Sequence, residues 1–291
     1  MNEWLDQLFN VAVVIFTVAN LAALGLEMRL LDTLKILRSA HAIGLILLWG
    51  WIVGPALAAL IVSILPLAEG HAAGLLLISL APTAPFLPLM LRRARGDMSF
   101  GAAVMLLTTV GTVVLLPLIA PMLIEGLTVD AWSLAEPLLL MVLLPMVVGT
   151  AVRFFAEPLA DKLFPLVSRI GSIFLLLVLA MTLVLFGRGM LDAVGSFAPG
   201  AQILFFVVIT ALAYTVGLGL KQEQRSGIAL AMCTRNIAAV FAAFLGITNP
   251  PAGMFVMVVL VVPLAAIVAL VAARIFAAHA VGKSQARNSD S

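Results

Sequence analysis

Met232-Cys233-Thr234-Arg235-Asn236 lies inside an apolar stretch, Ser226 to Ile247, that is long enough to cross a bilayer. No carboxylate in that stretch neutralises Arg235. A guanidinium near a bilayer midplane costs at least about 2.5 kcal/mol, and such a residue usually faces a cavity or a partner. The segment therefore reads as a functional polar interruption of a membrane helix, and its cationic group points to an anionic substrate.

The rest of the chain supplies the membrane. Of its 291 residues, 64% are hydrophobic and only 10% are charged, where a soluble domain carries about 25% charged residues. Apolar spans of roughly 20 residues recur along almost the whole length. They read as 8–28, 42–66, 71–91, 99–124, 132–152, 166–187, 197–220, 226–247 and 252–277. Long continuous runs favour helices, because a membrane barrel shows short alternating segments. The expected fold class is an all-α polytopic membrane protein with nine transmembrane helices. Glu3 and Asp6 stand where a signal peptide would be basic, so the first span is expected to remain as a helix.

The basic residues sort to alternate loops. Arg29, Lys35 and Arg38; Arg92, Arg93 and Arg95; Arg153, Lys162 and Arg169; Lys221 and Arg225; and Arg274, Lys283 and Arg287 share one side. Arg188 alone falls on the other, and Arg235 lies within a span. By the positive-inside rule the N-terminus is expected outside and the C-terminus in the cytoplasm, in a plasma (inner) membrane. No Asp or Glu falls at mid-membrane. Glu27, near the inner end of span 1, comes closest.

Leu115-Leu116-Pro117-Leu118-Ile119-Ala120 in span 4 is echoed by Val261-Val262-Pro263-Leu264-Ala265-Ala266 in span 9, 146 residues later. Five spans separate the copies, an odd number, so they are inverted in the membrane, as in many secondary transporters. The expected units are 1–124 (spans 1–4), 125–278 (spans 5–9) and a polar, disordered cytoplasmic tail, 279–291. Span 3 contains Ala81-Pro82-Thr83-Ala84-Pro85-Phe86-Leu87-Pro88. Pro82, Pro85 and Pro88 each delete a backbone donor and crowd the preceding turn, so a continuous helix is not expected there. Cys233 marks the equivalent break in span 8, and the two broken helices are expected to cross near the midplane. Arg235 could serve a substrate, or bond the carbonyls that span 3 exposes. Thr108, Thr109 and Thr112 in span 4 could line a site, or bond their own helix.

Other chemistries are excluded. His41, His71 and His279 share no ligand spacing, and the single cysteine forms no intrachain disulfide. No phosphate loop, nucleotide fingerprint or nucleophile elbow is present. An enzyme, a nucleic-acid partner and a protein partner are not expected; the lipid bilayer and a small organic anion are.

Four stretches together resemble the bile acid:sodium symporter family. They are Leu24-Gly25-Leu26-Glu27-Met28; Ala81-Pro82 through Arg95-Gly96-Asp97; Thr108-Thr109-Val110-Gly111-Thr112 followed by Pro117 and Pro121; and Arg225 through Asn236. The resemblance implies a panel domain, a core domain and two crossing broken helices, in a divergent member that lacks the family's first helix. By the same resemblance, spans 1, 2, 5 and 6 form the panel and spans 3, 4, 7, 8 and 9 the core. It also implies sodium sites built from oxygen ligands. Here Leu87-Pro88 stands at the family's Ser-Asn pair, Leu230 or Ala231 at its glutamate, and Gly50 near its glutamine; only Thr108 is kept as a residual sodium contact. Arg235 would then supply the positive charge that sodium supplies in relatives.

The function expected is secondary transport of a small organic anion by alternating access, with no cofactor and sodium coupling in question. Arg235 is the counter-charge, and Asn236, Thr234, Thr83, Thr108 and Thr109 are the polar contacts. Two alternatives stay open. One is a conventional sodium:organic anion symporter. The other is a non-transporting sensor or assembly subunit, or a channel.

Overall fold

The computed structural model describes residues 3–124 and 129–289, and these are helical almost throughout. The chain begins with α1 (Glu3–Glu27) and a short α2 (Leu30–Ile36). Next, α3 (Ala40–Leu47) runs through a π-helical stretch, Leu48–Val53, into α4 (Gly54–Ile64). Then come α5 (Glu69–Ser79), α6 (Leu87–Ala94) and α7 (Met98–Leu123). A second π-helical stretch, Leu139–Leu143, joins α8 (Ala131–Leu138) to α9 (Leu144–Phe155). The chain closes with α10 (Glu157–Val194), α11 (Ala198–Thr215), α12 (Gln222–Cys233), α13 (Ile237–Leu245) and α14 (Met254–Ser289).

Among the described residues, seven helical segments are long and apolar enough to span a membrane. They correspond to the expected spans 1, 2, 4, 5, 6, 7 and 9. The other two expected spans are each split, 71–91 into α5 and α6, and 226–247 into α12 and α13. Prolines account for the first split. The second contains none. There, side chains compete for the backbone: the Thr234 hydroxyl donates back to the Leu230 carbonyl, and Asn236 caps α13 by accepting from the Ala239 amide (both about 3 Å).

Three expectations need correction. Span 2 was grouped with spans 1, 5 and 6, yet α3 packs on α7, and α4 packs on α5 and α11. Its π-helical stretch turns the Trp51 ring onto Gly111 of α7, so span 2 belongs with the interrupted helices. Helix α10 begins at Glu157, well before residue 166. Pro158 falls in its first turn, where its fixed φ favours helix and no donor is lost, and Glu157 complements the helix dipole. Helix α14 carries the chain on to Ser289, so the polar tail expected from 279 begins as a continuation of that helix. The expected repeat boundary adjoins residues 125–128, which lie outside the described residues, as do Met1, Asn2, Asp290, Ser291 and the side chain of Arg188.

Helices α1, α9 and α10 pack on one another. The α1–α9 approach is set by two glycines. A Cβ on Gly25 would strike the backbone of Met146 and Thr150, and one on Gly149 would strike Ala22 and Leu26. Small residues at such crossings let helices gain packing contact where lipid offers no hydrophobic drive. Gly149→Val is therefore expected to destabilise the protein by about 1–3 kcal/mol. Gly44→Ala, where a Cβ meets open space, is expected to raise stability by about 0.4–1 kcal/mol. Melting temperatures of the two purified variants in one detergent check both directions.

Candidate functional site

A helix that ends inside a membrane must find donors for its last carbonyls. At the end of α5 each one can be traced. The Ser79 hydroxyl donates to the Leu76 carbonyl (2.6 Å). The amides of Leu80 and Ala81 donate to Leu77 and Ile78 (3.2 Å each). The Arg235 guanidinium donates through Nη1 to the Ser79 carbonyl (3.3 Å), and the Trp51 indole to that of Leu80 (3.1 Å). Finally the Asn236 amide donates to the Ala81 carbonyl (2.9 Å).

The second break answers the first. The Thr83 amide donates to the carbonyls of Ala231 (3.1 Å) and Thr234 (2.9 Å). The Ala84 amide donates to the Thr234 hydroxyl oxygen (3.1 Å). Pro82 and Arg235 thus form an antiparallel bridge, the isolated β-type pairing seen among the described residues. Thr83 sits at φ 74°, a left-handed backbone that costs a β-branched residue roughly 1–3 kcal/mol and persists only when its surroundings enforce it. The two bonds to its amide do so. Its hydroxyl is buried and has no hydrogen-bond partner.

Arg235 is 2% exposed. Its guanidinium lies 4.8 Å from the centre of the Phe205 ring on α11, and it carries the one hydrogen bond to Ser79. Nε and Nη2 have no partner. Burying an ion costs several kcal/mol. A cation–π contact returns up to about 2 kcal/mol, and a charge-assisted hydrogen bond about 1.5–3 kcal/mol. Two unsatisfied nitrogens leave the charge undercompensated, which is the condition that favours an anion.

A cavity of about 350 Å³ reaches Arg235. One wall is Phe16, Asn20 and Leu24 of α1 with Phe164 and Ser168 of α10; the opposite wall includes Phe86, Ile237 and Val261. Phe86 is the N-cap of α6 and Ile237 the first residue of α13, so two helix N-termini, the positive ends of their dipoles, border the space. Glu27 stands at the rim, 3.8 Å from Arg92 of α6.

The expected site residues divide. Arg235 and Pro85 line this cavity; Pro88 lines a neighbouring one. Thr83, Thr234, Asn236 and Pro82 build the bridge, and Cys233 ends α12 fully buried, its thiol directed at the Ala265 carbonyl (4.0 Å). Thr108 and Thr109 are buried on α7 and do not line the cavity. The Thr108 hydroxyl donates to its own helix at Val104 (2.7 Å). Sequence reasoning missed Trp51, Asn20 and Ser168. Asn20 carried a usable signal, an amide deep in an apolar span, and α10 approaches it closely at Gly171.

The Thr234 hydroxyl both accepts from Ala84 and donates to Leu230. Thr234→Val keeps the shape and orphans a buried amide, so it is expected to cost about 1–3 kcal/mol. Thr234→Ser is expected to restore most of that. Denaturation of the two variants side by side checks the pair.

Known proteins bear on this arrangement. The chain is 24% identical over 155 residues to the "Probable sodium/metabolite cotransporter BASS3, chloroplastic" of Arabidopsis thaliana, a match covering 52% of this chain and 36% of that protein. It is 24% identical over 206 residues to the "Probable sodium/metabolite cotransporter BASS2, chloroplastic" of Oryza sativa subsp. japonica, covering 70% of this chain and 48% of that one. The chain thus spans half or less of the length of these curated relatives. The profile of the Sodium Bile acid symporter family matches residues 14–192, which include the first break and stop short of Arg235. With well over half of the 291 residues matched, from α1 through the interrupted α5–α6 pair and into α10, the chain belongs to the sodium bile acid symporter family.

Proposed function

We propose that this protein is a secondary transporter of small organic anions, working by alternating access, with Arg235 as a fixed counter-charge. One observation carries the reading: a buried guanidinium with two unpartnered nitrogens borders a cavity between α1 and α10 on one side and α6, α13 and α14 on the other. The cavity's size suits a small molecule. Its phenylalanine-rich lining suits an apolar body, and the guanidinium offers two parallel donors to a carboxylate. Thr83 adds a free hydroxyl near the bridge.

In this reading the seven continuous spans and the two interrupted pairs make nine crossings. They are arranged as inverted repeats, 1–124 and 125–278, with Pro117 inside α7 and Pro263 inside α14 at matching positions. Helices α1, α8, α9 and α10 act as the panel and the others as the core. The N-terminus faces outward and the C-terminus the cytoplasm of a plasma membrane, as the clustering of Arg29, Arg92 and Arg153 near the Glu27 end of the cavity supports.

Transport in this reading does not depend on sodium. A sodium ion needs oxygen ligands. The carbonyls of Ser79, Leu80 and Ala81, the oxygens this break would offer, already accept from Arg235, Trp51 and Asn236, and the guanidinium repels a second cation. Sodium:anion symport is the rival reading, favoured by the names of the two plant relatives.

Thermal stability of the purified protein against a panel of organic monoanions, in sodium and in choline buffer, separates the two. A ligand that binds only the folded state raises the melting temperature by mass action. Equal stabilisation in both buffers is expected, lost in Arg235→Gln and weakened in Arg235→Lys, which lacks the fork. Stabilisation in sodium alone would restore symport. Binding that survives Arg235→Gln unchanged would remove Arg235 from the site.

A further inference from the structure

We propose that a second cavity, at the far ends of α11 and α14, binds the phosphate group of an anionic phospholipid. It measures about 610 Å³ and is lined, among the described residues, by Tyr214, Lys221, Gln222, Arg225 and His279, with no carboxylate among these described lining residues. Tyr214 lies one residue from the end of the apolar span Ala198–Thr215, and His279 two from the end of Met254–Val281. Both therefore stand at one membrane boundary, the depth of lipid headgroups. Tyr214 is the chain's one tyrosine, a residue type favoured at that depth.

The aromatic side is rigid. The Tyr214 ring stacks on Phe276 at 3.9 Å, its hydroxyl meets His279 Nδ1 at 3.1 Å, and Gln222 donates to the same hydroxyl at 3.5 Å. On the basic side, Arg225 donates through Nε to the Leu220 carbonyl (3.0 Å), which anchors the group and leaves its terminal nitrogens for a ligand. Lys221 is exposed beside it. Glu223, in the same first turn of α12, is exposed and is not part of the lining. The cavity is thus walled by donors and two basic side chains, the chemistry that selects a phosphate ester. Basic pockets between helices at a membrane boundary are suited to anionic headgroups.

The test uses the full chain in a nonionic detergent, with melting temperature read against three probes: short-chain phosphatidylglycerol, short-chain phosphatidylcholine and inorganic phosphate. Stabilisation by phosphatidylglycerol alone is expected. Lys221→Gln, an exposed position, should melt like the parent without lipid and bind phosphatidylglycerol about tenfold more weakly. Arg225→Lys, which keeps charge and loses the fork, should weaken it less. Equal stabilisation by inorganic phosphate would assign the cavity to a soluble anion and overturn the lipid reading. No preference for phosphatidylglycerol over phosphatidylcholine, or unchanged affinity in Lys221→Gln, would overturn the site itself.

Discussion

The antiparallel bridge between Pro82 and Arg235 is the constraint on which the rest depends. Two helices stop inside the apolar layer, and each stop exposes backbone groups that lipid cannot satisfy. Neither break is tolerable alone. Together they close each other's deficit: the Thr83 and Ala84 amides find acceptors on the second break, and the Ala81 carbonyl finds a donor there. The residue that closes the last gap, at Ser79, is Arg235, the proposed counter-charge. On that proposal structure and recognition meet in one side chain, and the left-handed backbone of Thr83 is the strain this arrangement sustains.

Around the bridge, the remaining elements act as supports. The π-helical turn in span 2 aims Trp51 at the Leu80 carbonyl, so a local irregularity in one span completes the hydrogen bonding of another. Phe205 on α11 lies under the guanidinium. Helices α1 and α10, with α9 packed on α1 through Gly25 and Gly149, present a separate wall across the cavity. The cavity is where these two groups of helices face each other, which is where the proposed alternating-access motion would open or close it.

Much of this was legible in the sequence. Prolines at 82, 85 and 88 announced the first break, and a lone Arg235 between Thr234 and Asn236 announced the second, because both patterns conflict with an uninterrupted apolar helix. Spans 1, 4, 5, 7 and 9 followed from length and hydropathy. Other features were not legible, for reasons of three-dimensional placement. Trp51 reads as one more apolar residue, and only the π-helical register turns it to the break. The partners of span 2 depend on packing between faces that are all apolar, so hydropathy carries no information about them. Thr108 and Thr109 looked like Thr83, yet the helix around Thr108 gives its hydroxyl a carbonyl four residues back. Thr83 lies outside any helix, and its hydroxyl has no partner.

A cation held by the chain also alters the electrical side of a transport cycle. A carrier that takes up its cation with each load releases that charge on the other side. Here the guanidinium is part of the chain, tied by backbone and side chain to the bridge. Under the proposed function, such a carrier is neutral at its centre when it holds a monovalent anion, and positive when it is empty. The membrane potential then acts mainly on the return of the empty carrier, with a leverage of about 2.3 kcal/mol per 100 mV for a charge that crosses the whole field. Voltage would set how quickly the protein resets, and the concentration of the anion how often it turns over.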